Sequence, residues 1–313
     1  MSGSRRRFRN GAIVNGWLIL DKPLGLGSTQ GVSAVKRALR DGGYANAKIG
    51  HGGTLDPLAS GVLPIALGEA TKLAGRMLDS DKVYDFTVSF GTQTDTLDTE
   101  GAVIATSEVR PSRAAISAIL PRFTGAIDQM PPAYSALKVD GRRAYDLARA
   151  GEAVVLASRR VTIYALSLVD AAPPAGETAA VTATFTAHVS KGTYIRSLAR
   201  DIALALGTVG HVTYLRRTKA GPFDLAHAIS LDKLGEVAKA RSLEQVLLPL
   251  RAGLDDIPAL PLTPDQAGAL RQGRVLGGIA ADDGQYFACL HDVPVALIEV
   301  QAREGRVVRG FNL

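Results

Sequence analysis

The sequence is short of cysteine, of aromatic rings and of long apolar runs. Its 313 residues hold one cysteine, Cys289. An internal disulfide needs two, so none forms, and a multi-cysteine metal cluster is excluded with it. Aromatic residues make up 5% of the chain, too few for a broad base-stacking sheet of the kind some RNA-recognition modules use. No apolar run reaches the roughly 20 residues that cross a bilayer as a helix. The first residues, Met1-Ser2-Gly3-Ser4-Arg5-Arg6-Arg7, lack the apolar centre of a signal peptide. These absences point to a cytoplasmic protein with no membrane partner. Also missing are a P-loop, a dinucleotide fingerprint, a zinc-protease motif, a nucleophile elbow and any internal repeat.

What is present is a globular composition. Hydrophobic residues reach 46% and charged residues 21%, which separates the chain from disordered ones. Its length allows one large domain and a small one. Lys and Arg number 36 against 30 Asp and Glu, a formal net charge of +6. That balance suits a polyanionic partner.

One stretch stands out. Residues 50–64 read Gly-His-Gly-Gly-Thr-Leu-Asp-Pro-Leu-Ala-Ser-Gly-Val-Leu-Pro. Its Gly and Pro content forbids one regular element, while Leu55, Leu58, Val62 and Leu63 are apolar enough to anchor it to a core. Asp56 is its one acid. Pro57 restricts Asp56 to extended backbone. A pinned, irregular loop of this kind fixes a reactive side chain, although a bare Asp-Pro pair would read as an ordinary turn.

The whole string, with Leu67-Gly68-Glu69-Ala70-Thr71-Lys72 after it, resembles the catalytic segment of the bacterial TruB family. Three further stretches share the resemblance. They are Asp21-Lys22-Pro23-Leu24-Gly25 with Ser28, then 189–201 (Val-Ser-Lys-Gly-Thr-Tyr-Ile-Arg-Ser-Leu-Ala-Arg-Asp), then 207–218. One position departs: the family pattern would place Thr where Gly52 stands. The resemblance implies a tRNA pseudouridine synthase acting on the T-loop uridine at tRNA position 55. It implies an α+β fold, with a mixed, largely antiparallel sheet of the pseudouridine synthase type over residues 1–250. A small β-rich, PUA-like RNA-binding module over 251–313 is implied as well. Asp56 would be the catalytic acid, paired with Arg196, and Tyr84 would stack on the target base and take part in proton transfer. Tyr194 and Leu215 would complete the pocket, and His51 would fill the place vacated by the flipped base. The implied partner is the T-arm and elbow of tRNA, met by a monomer without guide RNA.

Pseudouridine formation gains and loses no atoms overall, so neither a redox cofactor nor a metal is required. It needs a carboxylate set against C1′, C2′ or C6. Whether Asp56 adds covalently or abstracts a proton stays open in the residues alone.

Along the chain, Arg5-Arg6-Arg7-Phe8-Arg9 is a basic arm, suited to a solvated terminus or a phosphate contact. Residues 17–20 read as a buried strand. Ser28 or Thr29 can cap a helix carrying Val32, Val35 and Leu39, stopped by Asp41-Gly42-Gly43. Residues 69–78 read as a helix. In 83–90, Tyr84, Phe86, Val88 and Phe90 alternate with Asp85, Thr87 and Ser89. The acids of 91–101, Asp95 and Asp98 among them, fit hydrogen-bonded turns and no EF-hand. Residues 141–149 read as a basic helix, and Lys138, Arg142, Arg143 and Arg149 cluster there beside a Pro-rich segment, with RNA backbone contact and plain solvation both open. Residues 159–168 and 181–189 read as strands around a Pro-rich turn at 171–176. Thr193 can start a helix with Ile195, Leu198, Ile202 and Leu206 on one face. Arg196 falls in its first turn, where the helix dipole disfavours a cation unless an anion meets it. Prolines at 249, 258, 261 and 264 suggest a linker over 248–264, and 286–290, 295–300 and 307–308 carry the strand signals of the tail.

Overall fold

A computed structural model describes residues 14–135, 137–139, 141–152, 156–172 and 179–313. The basic arm at 5–9 and most of the turn at 171–176 lie outside these residues.

The chain opens with β1 (Gly16–Lys22), α1 (Ser28–Asp41), β2 (Ile49–His51) and β3 (Ala59–Leu67). A 3-10 turn over Gly68–Leu73 leads into α2 (Ala74–Asp79), so the helix expected over 69–78 is split in two. Both halves still bury their apolar positions, Leu73 and Met77. β4 (Lys82–Phe90) follows, then the small hairpin β5 (Thr92–Thr94) and β6 (Val103–Thr106). Next come α3 (Arg113–Ile119), β7 (Gly125–Gln129), β8 (Lys138–Val139), β9 (Arg142–Arg143) and α4 (Ala144–Arg149). The long strands β10 (Arg159–Ala172) and β11 (Thr182–Val189) precede α5 (Ile195–Ala205) and β12 (Gly210–Ala220). β13 (Phe223–Asp224), α6 (Leu231–Lys239) and β14 (Leu247–Leu248) close the first part.

These strands make one ten-stranded sheet in the order β14-β1-β3-β12-β4-β11-β10-β7, with β2 beside β3 and β13 beside β12. Every pairing is antiparallel except β3 with β12. The mixed, largely antiparallel sheet expected from the sequence is therefore observed. The alternation in β4 explains its central place. Phe86, Val88 and Phe90 are buried on one face, and Phe86 lies opposite Phe185 with stacked rings 5.2 Å apart. α5 covers that face with Ile195, Leu198 and Ile202. α1 and α6 cover the other end, where Val35 and Leu39 pack with Leu20, Leu63 and Leu234.

The second part holds β15 (Ala259–Pro261), α7 (Pro264–Arg271), β16 (Leu276–Gly277), β17 (Gly284–Leu290), β18 (Val293–Gln301) and β19 (Glu304–Gly310). They form a five-stranded sheet in the order β15-β17-β18-β19-β16, so the three strand signals of the tail are real. The linker expected over 248–264 is not free chain. Leu250 and Leu254 are buried with Trp17 and Phe223, in one cluster with Phe287, Leu297 and Phe311 of the second sheet. The Trp17 indole N–H donates to the Leu250 carbonyl at 3.2 Å. A Cβ on Gly253 would come within 2.8 Å of the Trp17 ring. The prolines mark irregular backbone, but apolar residues between them seal the two sheets together.

Two local readings are corrected. The cap of α1 is Gly27, and the Ser28 hydroxyl serves elsewhere. The helix expected over 141–149 is shorter, because Arg142 and Arg143 lie in a two-residue strand and only 144–149 is helical.

Candidate active site

The loop carrying Asp56 is held by hydrogen bonds that need no regular structure. Ser28 Oγ donates to the Leu55 carbonyl at 2.8 Å and accepts from the Leu55 N–H at 2.7 Å. This double contact explains why that hydroxyl does not cap α1. Arg217, fully buried on β12, donates to the carbonyls of Val62 (2.8 Å), Gly53 (3.1 Å) and Thr54 (3.3 Å). The Gly25 N–H donates to the Pro57 carbonyl at 2.8 Å, and the Ala59 N–H to the Asp56 carbonyl at 3.0 Å. Leu55 sits in the core. Gly61 is indispensable to this arrangement. Its φ is +102°, and a Cβ there would lie 2.2 Å from the Arg217 carbonyl oxygen.

Asp56 meets Arg196 as expected. Arg196 Nη2 donates to Asp56 Oδ2 at 2.8 Å and to the Tyr134 carbonyl at 3.0 Å, while Nη1 donates to the Thr96 carbonyl at 2.8 Å. A second carboxylate, Asp98, stands 3.3 Å from Nη1. The side chain of Arg196 is 8% exposed and that of Asp98 9%, against 45% for Asp56. A buried guanidinium in the first turn of α5 is thus met by two anions and two carbonyls. The turn-holding role expected for Asp98 is only part of its work. Its Oδ1 accepts from the Glu100 N–H and the Thr96 hydroxyl, and its Oδ2 faces Arg196. Asp95 departs from the turn expectation: its Oδ2 accepts from the distant Tyr134 hydroxyl at 3.2 Å, and its Oδ1 is buried without a hydrogen-bond partner among the described residues. Leu97, between these acids, is buried at φ +64°. Its N–H and carbonyl bond to Thr94 and Val212, which fix that turn against β12.

A cleft of about 220 Å³ opens beside the pair, lined by Asp56, Tyr84, Tyr194, Arg196 and Leu215 together with Ser135. Five sequence-predicted site residues therefore converge. Tyr84 is half-buried on β4, and Leu215 lies on the neighbouring β12. Tyr194 is held at the start of α5 by Gln129, whose amide accepts from the Tyr194 N–H at 2.8 Å and donates to its carbonyl at 3.1 Å. The Arg159 guanidinium lies over the Tyr194 ring, 4.5 Å from its centre. The Ser135 hydroxyl is buried without a hydrogen-bond partner among the described residues. A smaller hollow of about 80 Å³ touches the other side of Asp56 and Arg196 and reaches Asp98.

His51 does not line this cleft. It ends β2, half-buried, with Nδ1 accepting from the Gly53 N–H at 3.4 Å. Burial, and then the charge of Arg217, holds its imidazole below the usual histidine range. Gly52, the departure noted above, packs against α2, where an added Cβ would lie 2.4 Å from Met77 Cβ.

Sequence reasoning missed Asp98, Lys22 and Arg217. Lys22 is buried at the end of β1, donating to the carbonyls of Pro23 and Leu26. Burial pushes its pKa down to about 8, against the opposing pull of Asp56. Its signal was the Asp-Lys-Pro motif, which carried the family resemblance without a role for the lysine. Arg217 lay in the 207–218 stretch that shares the resemblance, but nothing there marked it as buried.

Comparison with known proteins places the chain in a family. A model of the TruB family pseudouridylate synthase N-terminal domain matches residues 41–195, and one of the tRNA pseudouridylate synthase B C-terminal domain matches 196–255. The chain is 67% identical over 301 residues to tRNA pseudouridine synthase B of Novosphingobium aromaticivorans, covering 96% of this chain and 98% of the relative. The chain belongs to the TruB family. A second relative, tRNA pseudouridine synthase B of Zymomonas mobilis, is 60% identical over 299 residues, 96% of each chain. Among solved structures, a Cbf5-Nop10-Gar1 complex superposes with TM-score 0.69 at 25% identity, over 95% of this chain and 84% of that one. An H/ACA RNP bound to a substrate RNA containing 2′-deoxyuridine gives TM-score 0.70 at 24% identity, over 95% and 85%. The latter likeness speaks for the fold. In this TruB-family chain the two matched models meet inside α5, between Ile195 and Arg196, and the five-stranded sheet lies beyond both.

Proposed function

We propose that this chain converts the T-loop uridine at tRNA position 55 to pseudouridine. The observation that carries the reading is the 2.8 Å pair of Asp56 and Arg196 at the wall of a cleft that also holds Tyr84, Tyr194 and Leu215. The reaction breaks the N1–C1′ bond of uridine, turns the base within the site, and forms a C5–C1′ bond. The C5 proton leaves and N1 gains one, so the formula is unchanged. Asp56 supplies the carboxylate, either by adding to the sugar or base or by taking a proton from the sugar. Arg196 orients it through their 2.8 Å contact. Tyr84 stacks on the base and assists proton transfer, while Tyr194 and Leu215 shape the cleft.

The nucleotide must leave its stack, at a cost of a few kcal/mol. His51, at the end of β2 and outside the cleft, is suited to fill the gap left in the RNA. The five-stranded sheet serves as a PUA-like RNA-binding module beside a catalytic part ending near residue 250. The protein works in the cytoplasm as a monomer on the tRNA T-arm and elbow, without guide RNA. The test is direct: purified protein alone, given an unmodified tRNA transcript labelled with tritium at uridine C5, releases tritium. Release that requires an added guide RNA, or none at all, refutes the reading.

A further inference from the structure

A second charged region lies on the far half of α1. A groove of about 520 Å³ runs between α1 and the chain that enters β2, lined by Lys36, Arg37, Arg40, Ser33, Asn46 and Ile49 among others. Among the described residues no carboxylate lines it. The three cations are exposed, and Lys48, also exposed, follows immediately in sequence after the groove residue Ala47. Among the described residues, the single ion pair these side chains make is Arg40 with its neighbour Asp41, at 3.4 Å and open to solvent.

This arrangement costs the helix stability. Lys36 and Arg40 are four residues apart and Arg37 and Arg40 three, so like charges share one face. The helix dipole rewards a cation in the last turn, which accounts for Arg40 and not for two more beside it. An anion lying in the groove accounts for all three.

The groove is tied to the candidate active site at both ends. α1 begins with Ser28, whose hydroxyl grips Leu55 beside Asp56. β2 begins with the groove residue Ile49 and ends with His51. At about 1.5 Å per helical residue, Lys36 to Arg40 lie roughly 12–18 Å along α1 from Ser28. A polyanion that presents one nucleotide to Asp56 and passes His51 meets these cations next.

We infer that this groove binds the RNA phosphate backbone and extends the substrate contact away from the catalytic cleft. The inference rests on an RNA substrate, as proposed above. It contrasts with the patch expected at 141–149. There Arg142 is paired with Glu152 at 3.0 Å and Arg149 lies over the Tyr145 ring. The side chains of Lys138 and Arg143 lie outside the described residues.

The test compares wild type with the triple variant Lys36→Ala/Arg37→Ala/Arg40→Ala. The control is Arg113→Ala/Arg122→Ala, at the end of the sheet farthest from α1. Binding to an unmodified tRNA transcript is measured from low to moderate salt. Each lost phosphate contact lowers the slope of log affinity against log salt by about 0.7–0.9. The triple variant should lose about two units of slope and bind roughly tenfold or more weakly at low salt. Tritium release at saturating tRNA should keep the wild-type rate, with KM raised. The control should lose less than half as much slope. If the triple variant does not fold, Arg37→Ala alone is read the same way, for a slope change of about one. Affinity and slope equal to wild type would overturn the inference. So would unchanged RNA binding together with lost retention on polyglutamate, which would assign the groove to an acidic protein. Failure of the catalytic reading shows separately, as a wild-type protein that binds tRNA through the groove and releases no tritium.

Discussion

Asp56 and Asp98 hold the same guanidinium, and only Asp56 opens to the cleft. Asp56 is nearly half-exposed, makes one contact to Arg196, and belongs to a loop pinned through its backbone. Asp98 is buried, and its oxygens are already engaged by Thr96, Glu100 and Arg196. In the proposed reaction the difference separates chemistry from support. A buried arginine with a single acid partner would be left uncompensated whenever that acid engaged substrate, and an unpaired buried charge is costly. In the proposed reaction Asp98 remains beside Arg196, so the cation keeps a partner when Asp56 engages substrate.

The comparison can be broken at each member. Asp56→Asn should reduce turnover by roughly 10³-fold or more, the range of a lost acid–base group, with tRNA affinity within a few-fold of wild type. Its melting temperature should change little, because the loop is held by Ser28 and Arg217. Arg196→Met should lower turnover comparably and also destabilise the fold. It strands Asp98 in the interior, for which about 3 kcal/mol is expected, the low end for a broken buried pair, because the Thr96 and Glu100 contacts remain. Urea unfolding measures it. Asp98→Asn should cost activity less than Asp56→Asn and stability more, about 1–3 kcal/mol for a weakened hydrogen bond to a charged group. If Asp98→Asn were fully active and fully stable, Asp98 would be no more than a turn residue.

A smaller effect concerns pH. Lys22 has a native pKa of about 8 from burial, against about 10.4 in an unfolded chain. Between those values the unfolded state holds the proton that the native state has lost, so stability rises with pH across that window. Below pH 8 both states are protonated and the cost of burying the charge is fully present. Lys82, also near 8, contributes in the same direction. Urea midpoints from pH 8 to 10 should therefore climb less steeply in Lys22→Met than in wild type. Gly52→Thr, which installs the residue of the family pattern, should destabilise by about 1–3 kcal/mol through overpacking. The obstacle is Met77 Cβ, which no rotamer change can move.

The central half of this picture was legible in the residues. The Gly- and Pro-rich run isolates Asp56, and the alternation of β4 puts Tyr84 on the face of Phe86 and Phe90. Arg196 in a first helical turn asks for an anion. Asp98 was hidden because its local pattern, an acid among Thr and Gly, is that of a hydrogen-bonded turn, and it does hold one. Its link to Arg196 joins residues 98 positions apart, which no local period reveals. Ser28 misled for a similar reason: a hydroxyl at a helix start is usually a cap, and here a tertiary partner outcompetes the helix. The prolines after 248 promised a linker, while Leu250 and Leu254 between them seal the joint with Trp17. For Arg142 and Arg149 the residues left RNA contact and solvation both open, and the fold adds Glu152 and Tyr145 as neighbours that no local pattern shows.

The most direct test pairs two readouts on two variants. Tritium release from C5-labelled uridine in tRNA is followed at saturating enzyme for Asp56→Asn and Asp98→Asn, and urea unfolding is measured on the same preparations. The account predicts opposite rankings. Asp56→Asn should be inactive with near wild-type stability, and Asp98→Asn partly active and less stable. Near wild-type release by Asp56→Asn, or abolished release by Asp98→Asn with Asp56→Asn still active, would contradict it.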